Sequence, residues 1–348
     1  MLELMEAPCA AERVAFIFNP ASGGEEPTTR RSRLETLARE AGLSGELLET
    51  DAEEGAAPAA RRAVADGMER ILVSGGDGSV TEAAGALAGT GVALGVVPGG
   101  TGNLLALNLG LPTNPAEAIH CGLTGTAYPT DVGRANGSVF LIMAGIGADA
   151  KMIQDADRQL KNRLGPLAYF LAGWRNRHRS RHTYKITIDG HRIRRRAHTV
   201  LVANLGRVTG GVELVPGTAP EGGSLQVAIL RARGLWGLAQ VAFAAIMGTE
   251  QPYGLLEVRR GRSIRIETSH PQPVQLDGNE AEATRVLEIE VEPGALQLVR
   301  PEIPHGAPAP APPLPAAIAG ARVWAPVLLG AAGAVTLAYV VWRRRSSR

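Results

Sequence analysis

The chain reads as an α/β domain followed by a β-sandwich domain, and three observations point there. Over its first part, short apolar runs alternate with helix-compatible stretches, the pattern of a parallel sheet covered by helices. Three of those runs break into glycine-rich turns before the next helix, at Asn19–Gly24, Ser74–Ser79 and Pro98–Asn103. From Tyr128 onward the spacing changes to short alternating segments separated by turn residues, as in a β-sandwich.

The elements follow in order. The first strand, Val14-Ala15-Phe16-Ile17-Phe18, runs into Asn19-Pro20-Ala21-Ser22-Gly23-Gly24. A helix from Thr28 to Glu40, a strand from Glu46 to Thr50 and a helix from Pro58 to Asp66 lead to the run Ile71-Leu72-Val73. Ser74-Gly75-Gly76-Asp77-Gly78-Ser79 comes next, then a helix across Val80–Leu87. The same pattern recurs as Val96-Val97-Pro98-Gly99-Gly100-Thr101-Gly102-Asn103 before further helix-compatible sequence. In the second half Val139–Ile142, Tyr184–Ile188, Thr199–Ala203, Leu225–Leu230, Ser263–Glu267 and Val286–Val291 read as strands, interrupted by an amphipathic helical interval from Met152 through Ala172.

Glycine turns between a strand and a helix suit phosphate, because glycine lets the backbone approach a ligand and the helix start offers unpaired N–H groups. Asp77 does not fit that role alone. A carboxylate beside phosphates repels them unless a divalent cation lies between, so the pattern predicts Mg2+ bound with a nucleotide. The plain alternative is that each turn is only a tight connection.

Length and composition set wider bounds. The 348 residues exceed what one core usually serves, and a net charge of +2 is uninformative for the whole chain. Cys9 and Cys121 imply no disulfide framework and have no metal-ligand company. The first residues are acidic, at Glu3, Glu6 and Glu12, and lack a basic secretory signature, so the amino-terminal domain is expected in the cytosol.

Asn19-Pro20-Ala21-Ser22-Gly23, Gly75-Gly76-Asp77-Gly78-Ser79 and Pro98-Gly99-Gly100-Thr101-Gly102-Asn103 together resemble the diacylglycerol kinase family of lipid kinases, which includes bacterial lipid kinases and sphingosine kinases. The resemblance continues through Thr130-Asp131-Val132-Gly133, Ala144-Gly145-Ile146-Gly147-Ala148-Asp149-Ala150 and Gln275-Leu276-Asp277-Gly278. It implies a Rossmann-related, phosphofructokinase-like nucleotide-binding domain over residues 12–127 and a β-sandwich lipid-substrate domain over 128–300, with ATP in the cleft between them. The resemblance places Asn19, Pro20, Ser22 and Gly23 in the first nucleotide loop and Thr50 within reach of the nucleotide. It gives the phosphates to Gly75, Gly76, Asp77, Gly78 and Ser79 with Gly100, Thr101 and Asn103, and Mg2+ to Asp77. Ser79 keeps the hydroxyl of the threonine often found there.

For the reaction the family places a glutamate directly after Asp-Gly, and here the motif reads Asp277-Gly278-Asn279-Glu280. Either the turn carries an inserted residue and Glu280 is the proton acceptor, the assignment adopted here, or Asn279 takes the slot and cannot accept a proton. Asp131 is expected to orient that group or the lipid hydroxyl, or merely to cap a turn. Bacterial relatives tie a structural Mg2+ to an Asp-Gly pair, and Gly222 stands where that aspartate would be.

Partners are read from charge and hydropathy. Arg158, Lys161, Arg163, Arg175, Arg177, Arg179, Arg181, Lys185, Arg192, Arg194, Arg195 and Arg196 form a basic block that suits an anionic membrane surface. Aromatic residues are too sparse for stacking platforms, so no nucleic-acid partner is expected, while a homodimer stays open. The helical interval from Met152 is expected to pack on the sheet or to stand at a lipid entrance. After Arg300 a Pro/Ala-rich linker over 301–315 precedes the charge-free run Val323–Trp342, flanked by Arg322 and Arg343-Arg344-Arg345. That run is long enough to be read as a single membrane crossing by an apolar C-terminal helix, with a surface-lying or re-entrant helix as the alternative, attaching a cytoplasmic catalytic region to the cell membrane. The function expected is ATP-dependent phosphorylation of the hydroxyl of a membrane lipid such as diacylglycerol. Two rivals remain: a non-catalytic nucleotide- or lipid-binding membrane protein, and a soluble-substrate kinase resembling the NAD kinases, which share a Gly-Gly-Asp-Gly turn.

Overall fold

The computed structural model describes residues 13–43, 47–51, 54–147, 181–208, 212–231 and 254–301. Strands β1 (Val14–Phe18), β2 (Leu47–Glu49), β3 (Arg70–Gly75) and β4 (Ala93–Pro98) are parallel neighbours in the order β4-β3-β1-β2. Helices α1 (Pro27–Glu40), α2 (Ala57–Ala65) and α3 (Asp77–Leu87) connect them, and α4 (Leu104–Leu109) and α5 (Pro115–Thr124) follow β4. Every position of β3 and β4 is buried, as a parallel strand covered on both faces requires.

Strand alternation decides which helix covers which face. Phe16 and Phe18 of β1 turn to one side with Leu72 and Val97, where Leu34 and Ala38 of α1 and Ile119 of α5 close over them. Ala15 and Ile17 turn to the other with Ile71, Val73 and Leu94, against Ala83, Ala84 and Leu87 of α3. Helix α1 begins where Pro27 takes the first turn and the Glu26 carboxylate accepts from the Thr29 N–H at 3.0 Å.

The second half is antiparallel: β5 (Thr126–Ala135), β6 (Ser138–Phe140), β7 (Met143–Ile146), β8 (His182–Ile188), β9 (His191–Ala197) and β10 (Thr199–Ala203) precede a small hairpin of β11 (Arg207–Val208) and β12 (Val212–Glu213). Then come β13 (Leu225–Leu230), β14 (Leu256–Gly261), β15 (Ser263–Leu276) and β16 (Asn279–Arg300). Tyr184, Ile186, Val200, Val202, Val227, Ile229, Ile264 and Ile266 are buried in one cluster, the core of this part. Strand β16 joins the halves. It pairs antiparallel with β15 and β5, and at Gln297 and Leu298 it runs parallel beside Ala93 and Leu94 of β4, making one 14-stranded sheet.

The expected membrane attachment is corrected. Among the described residues no helix is long and apolar enough to cross a membrane. The longest, α1, has 14 residues, about 21 Å at the helical rise, against a hydrocarbon thickness of about 30 Å. The run 323–342, the linker beyond Pro301, the helical interval from Met152 and the basic residues from Arg158 to Arg179 lie outside the described residues.

Candidate nucleotide and phosphoryl-transfer site

The three glycine turns meet at the C-terminal ends of β1, β3 and β4, where an open parallel sheet places its ligands. Their contacts are close enough to explain the glycines. An added Cβ on Gly100 would lie 2.7 Å from the Gly76 Cα, and one on Gly75 would lie 2.7 Å from the Ser79 Cβ. Gly23, at φ +87, sits where a Cβ would come 3.1 Å from the Gly99 carbonyl oxygen. The first turn is tied to the second by Asn19, whose Nδ2 donates to Ser79 Oγ at 2.6 Å, while its Oδ1 accepts from Ala21 N at 2.9 Å. Asn103, in the left-handed region at φ 45, closes the third turn: its Oδ1 accepts from Gly100 N and its Nδ2 donates to Gly100 O, both at 2.9 Å.

Asp77 stands at the meeting point of two helix starts. It is the first residue of α3, and its Oδ1 accepts from Leu105 N at 3.2 Å, at the head of α4. Its Oδ2 lies 3.0 Å from where a Cβ on Gly102 would be. Burial pushes its carboxyl above the usual carboxylate range, against the pull of backbone N–H groups of Leu105, Leu104 and Asn103. Asn19, Ser22, Gly23, Gly75, Gly76, Asp77, Gly78, Ser79, Gly100 and Asn103 are thus brought together, with Pro20 and exposed Thr101 on the same turns. Thr50 directly follows β2, buried, with its N–H on Phe18 O at 2.9 Å; its neighbours Glu49 and Asp51 line a cavity of about 370 Å³ beside α2.

The Asp277-Gly278 pair is a two-residue hairpin turn. Both residues have positive φ, 48 and 87, and Leu276 pairs directly with Asn279, so the turn holds no inserted residue. The Asp277 carboxylate is buried and accepts from Leu141 N at 2.7 Å, Ile142 N at 2.8 Å, Met143 N at 2.9 Å and the Thr81 hydroxyl of α3 at 2.8 Å. Burial drives its carboxyl upward while those donors pull it down. Asn279 brings its Nδ2 within 3.4 Å of a Cβ position on Gly78. Glu280 is exposed and pairs across the ladder with Gln275, whose side chain lies against Gly145.

Asp131 is drawn elsewhere. Its carboxylate accepts from Gly223 N at 2.6 Å and Gly294 N at 2.9 Å, holding two turns of the sandwich half. The turn around Gly222 is held by guanidinium groups: Arg260 donates to Gly222 O at 2.9 Å and Arg262 to Gly223 O at 3.0 Å. Among the described residues there is no group of three or more His, Cys, Asp or Glu that could hold a metal ion.

Arg30 was not singled out by motif. It is 4% exposed and reaches from α1 under the turns, donating to Asn19 O at 3.0 Å, Ser22 Oγ at 2.6 Å, Ser22 O, and Ser74 Oγ at 2.9 Å. A readable signal existed: Arg30, Leu34 and Ala38 share one helix face, and the last two are core.

Residues 13–135 match the diacylglycerol kinase catalytic domain, and 141–300 match the YegS C-terminal NAD kinase beta sandwich-like domain. A Pseudomonas aeruginosa protein named "Probable lipid kinase YegS-like" is 32% identical over 251 residues, 71% of this chain and 80% of that one. The chain belongs to the diacylglycerol kinase family of lipid kinases. The diacylglycerol kinase of Bacillus subtilis is 29% identical over 271 residues, covering 77% of this chain and 89% of its own length. The "Uncharacterized protein sll0036" of Synechocystis is 31% identical over 242 residues, 68% of this chain, which spans 56% of that protein's length. A crystal structure of a diacylglycerol kinase from Bacillus anthracis superposes with a TM-score of 0.69 at 26% identity, covering 84% of this chain and 98% of that one. Membership in this family makes the protein a lipid kinase, a phosphotransferase.

Proposed function

We propose that this lipid kinase transfers the γ-phosphoryl group of ATP to the hydroxyl of a membrane lipid, diacylglycerol or a related glycerolipid. The observation that carries the reading is the convergence of three glycine turns on Asp77, a carboxylate kept at the head of two helices against the cost of burial. The donor set fits Mg-ATP: backbone amides and the hydroxyls of Ser79 and Thr101 for phosphate oxygens, and Asp77 for the cation. Bound Mg2+ would neutralise phosphate charge. The lipid oxygen forms its bond to the γ-phosphorus as the bond to the β–γ bridging oxygen breaks, ADP leaves, and the hydroxyl proton passes to a carboxylate.

Glu280 is our choice for that carboxylate. The hairpin holds no inserted residue, so Asn279 takes the position directly after Asp-Gly and its amide cannot accept a proton; Glu280, the exposed residue that follows it, is the carboxylate left to serve. Glu280→Gln is expected to lower kcat by about a hundredfold or more with little change in KM for ATP. Asn279→Ala, by contrast, is expected to act on ATP binding through its neighbour Gly78. Full turnover in Glu280→Gln would take the role away from this residue. For the lipid partner, exposed Arg192, Arg194 and Arg196 alternate along β9, whose one described neighbour strand is β8, and support contact with anionic headgroups.

The substrate class is tested with ATP labelled in its γ-phosphate, offered a fractionated lipid extract and, separately, NAD. Label in an organic-phase phosphomonoester of a glycerolipid is expected. Label only in the aqueous phase with NAD as acceptor would move the reading to a soluble substrate, and ATP binding with no transfer would favour the non-catalytic one.

A further inference from the structure

Arg30 is a buried cation whose neighbours are neutral. Its guanidinium donates to the carbonyl oxygens of Asn19 and Ser22 and to the hydroxyls of Ser22 and Ser74, and its carbon lies 5.0 Å from the centre of the Phe18 ring. Among the described residues no carboxylate forms an ion pair with it. Glu25, which acts on it at longer range, is paired with Arg33 at 2.7 Å. Burial pushes its pKa down, the direction expected of a cation without a counter-charge, yet a guanidinium stays protonated. An unpaired buried charge is costly to fold, so its retention calls for something that offsets it.

Position says what. Arg30 touches the first turn at Asn19 and Ser22 and the end of β3 at Ser74, and a Cβ on Gly99 would collide with its guanidinium. It therefore lies directly beneath the three turns, with Gly99 between it and the open side. Because a trans peptide sets C=O and N–H in opposite directions, holding the Ser22 carbonyl toward Arg30 turns the Gly23 N–H outward, to the side where Gly23 is exposed. A fixed positive charge behind a layer of outward-facing amides is suited to a polyanion on the far side of that layer.

We propose that Arg30 is a positioning residue of the nucleotide site: it braces the three glycine turns from behind and supplies the fixed positive charge that the polyphosphate of the bound nucleotide offsets. The inference rests on the ATP reading above and names a residue that acts through the loops rather than by touching the ligand. It implies that Arg30 matters in proportion to ligand charge. Adenosine carries none, whereas ATP and tripolyphosphate are polyanions.

The test is calorimetric binding of Mg-ATP, inorganic tripolyphosphate and adenosine to the full chain without lipid, for wild type, Arg30→Lys and Arg30→Gln, with thermal melts of each protein. The expected result is a loss of about tenfold or more for Mg-ATP and tripolyphosphate in Arg30→Gln, under twofold for adenosine, and partial recovery in Arg30→Lys. Equal losses for adenosine and ATP, or unchanged ATP affinity in Arg30→Gln, would overturn the proposal. If Arg30→Gln does not fold, Arg30→Lys decides alone. It keeps the charge and loses the fork, so the losses for Mg-ATP and tripolyphosphate should be smaller than about tenfold but still exceed that for adenosine; equal losses for adenosine and ATP would again overturn the proposal. Failure of the wild type to bind Mg-ATP is a separate outcome that removes the nucleotide reading itself.

Discussion

Replacing Asp77 by asparagine is expected to reduce phosphoryl transfer by about a thousandfold or more while leaving the melting temperature unchanged or raised. Asparagine keeps the shape and an oxygen that can accept from Leu105 N, so the junction between α3 and α4 stays capped. What it removes is the negative charge, the one feature of the residue that would hold a cation beside phosphates. The stability side follows from the direction of the pKa shift. Burial raises the folded-state value above the unfolded one, so the group favours folding below its unfolded pKa, and that contribution is lost as pH rises through the folded value. At neutral pH the ionised carboxylate therefore opposes folding, and a neutral isostere relieves it. A steady-state assay with a parallel thermal melt checks both halves. Full activity in Asp77→Asn would remove Asp77 from the chemistry, and a large drop in melting temperature would make it a structural residue.

Asp277→Ala should be the most destabilising single change among the residues discussed. Its carboxylate is the shared acceptor of three backbone N–H groups, from Leu141, Ile142 and Met143, and of the Thr81 hydroxyl. Alanine leaves these buried donors unpaired, at about 1–3 kcal/mol for each group that finds no new partner. It also puts a side chain without a local acceptor at φ 48, costing roughly another 1–2 kcal/mol. A loss of about 4 kcal/mol, or a fall of about 10 °C in melting temperature, is the expected result. Asp277→Asn keeps one carbonyl oxygen and tolerates the left-handed backbone, so it should lose less. A change under about 2 °C for Asp277→Ala would mean that the donors find other partners.

These two carboxylates mark where the sequence was legible and where it was not. The Asp77 turn announces itself because strand, glycines and helix are contiguous, and β1, β10 and β13 have the bounds their apolar runs imply. Asp277 sits in an equally plain hairpin signal, but its partners are Thr81 and Leu141 to Met143, far away in the chain, and no local pattern encodes such a junction. The same holds for β16, whose last residues return to pair with β4, and for Asp131, spent on Gly223 and Gly294. Whether Asn279 or Glu280 follows the turn without an insertion is a matter of register. A one-residue shift exchanges the two faces of a strand, and only the Leu276–Asn279 pairing places it. Arg30 was hidden by its type, since a charged residue on a helix is ordinarily read as solvated, and only its burial separates it from Arg31 beside it. The membrane crossing was read from the length, apolarity and flanking arginines of one run, and no described helix is long and apolar enough to cross.

We propose phosphoryl transfer to a lipid hydroxyl at the three-turn site. The most direct measurement is the rate at which γ-labelled Mg-ATP labels diacylglycerol presented in mixed anionic vesicles, with wild type and Asp77→Asn side by side. Saturable labelling of the lipid by the wild type, falling to background in Asp77→Asn, is the predicted result. Wild-type protein that binds Mg-ATP yet labels no lipid, or labels it equally well without the Asp77 carboxylate, would contradict the account.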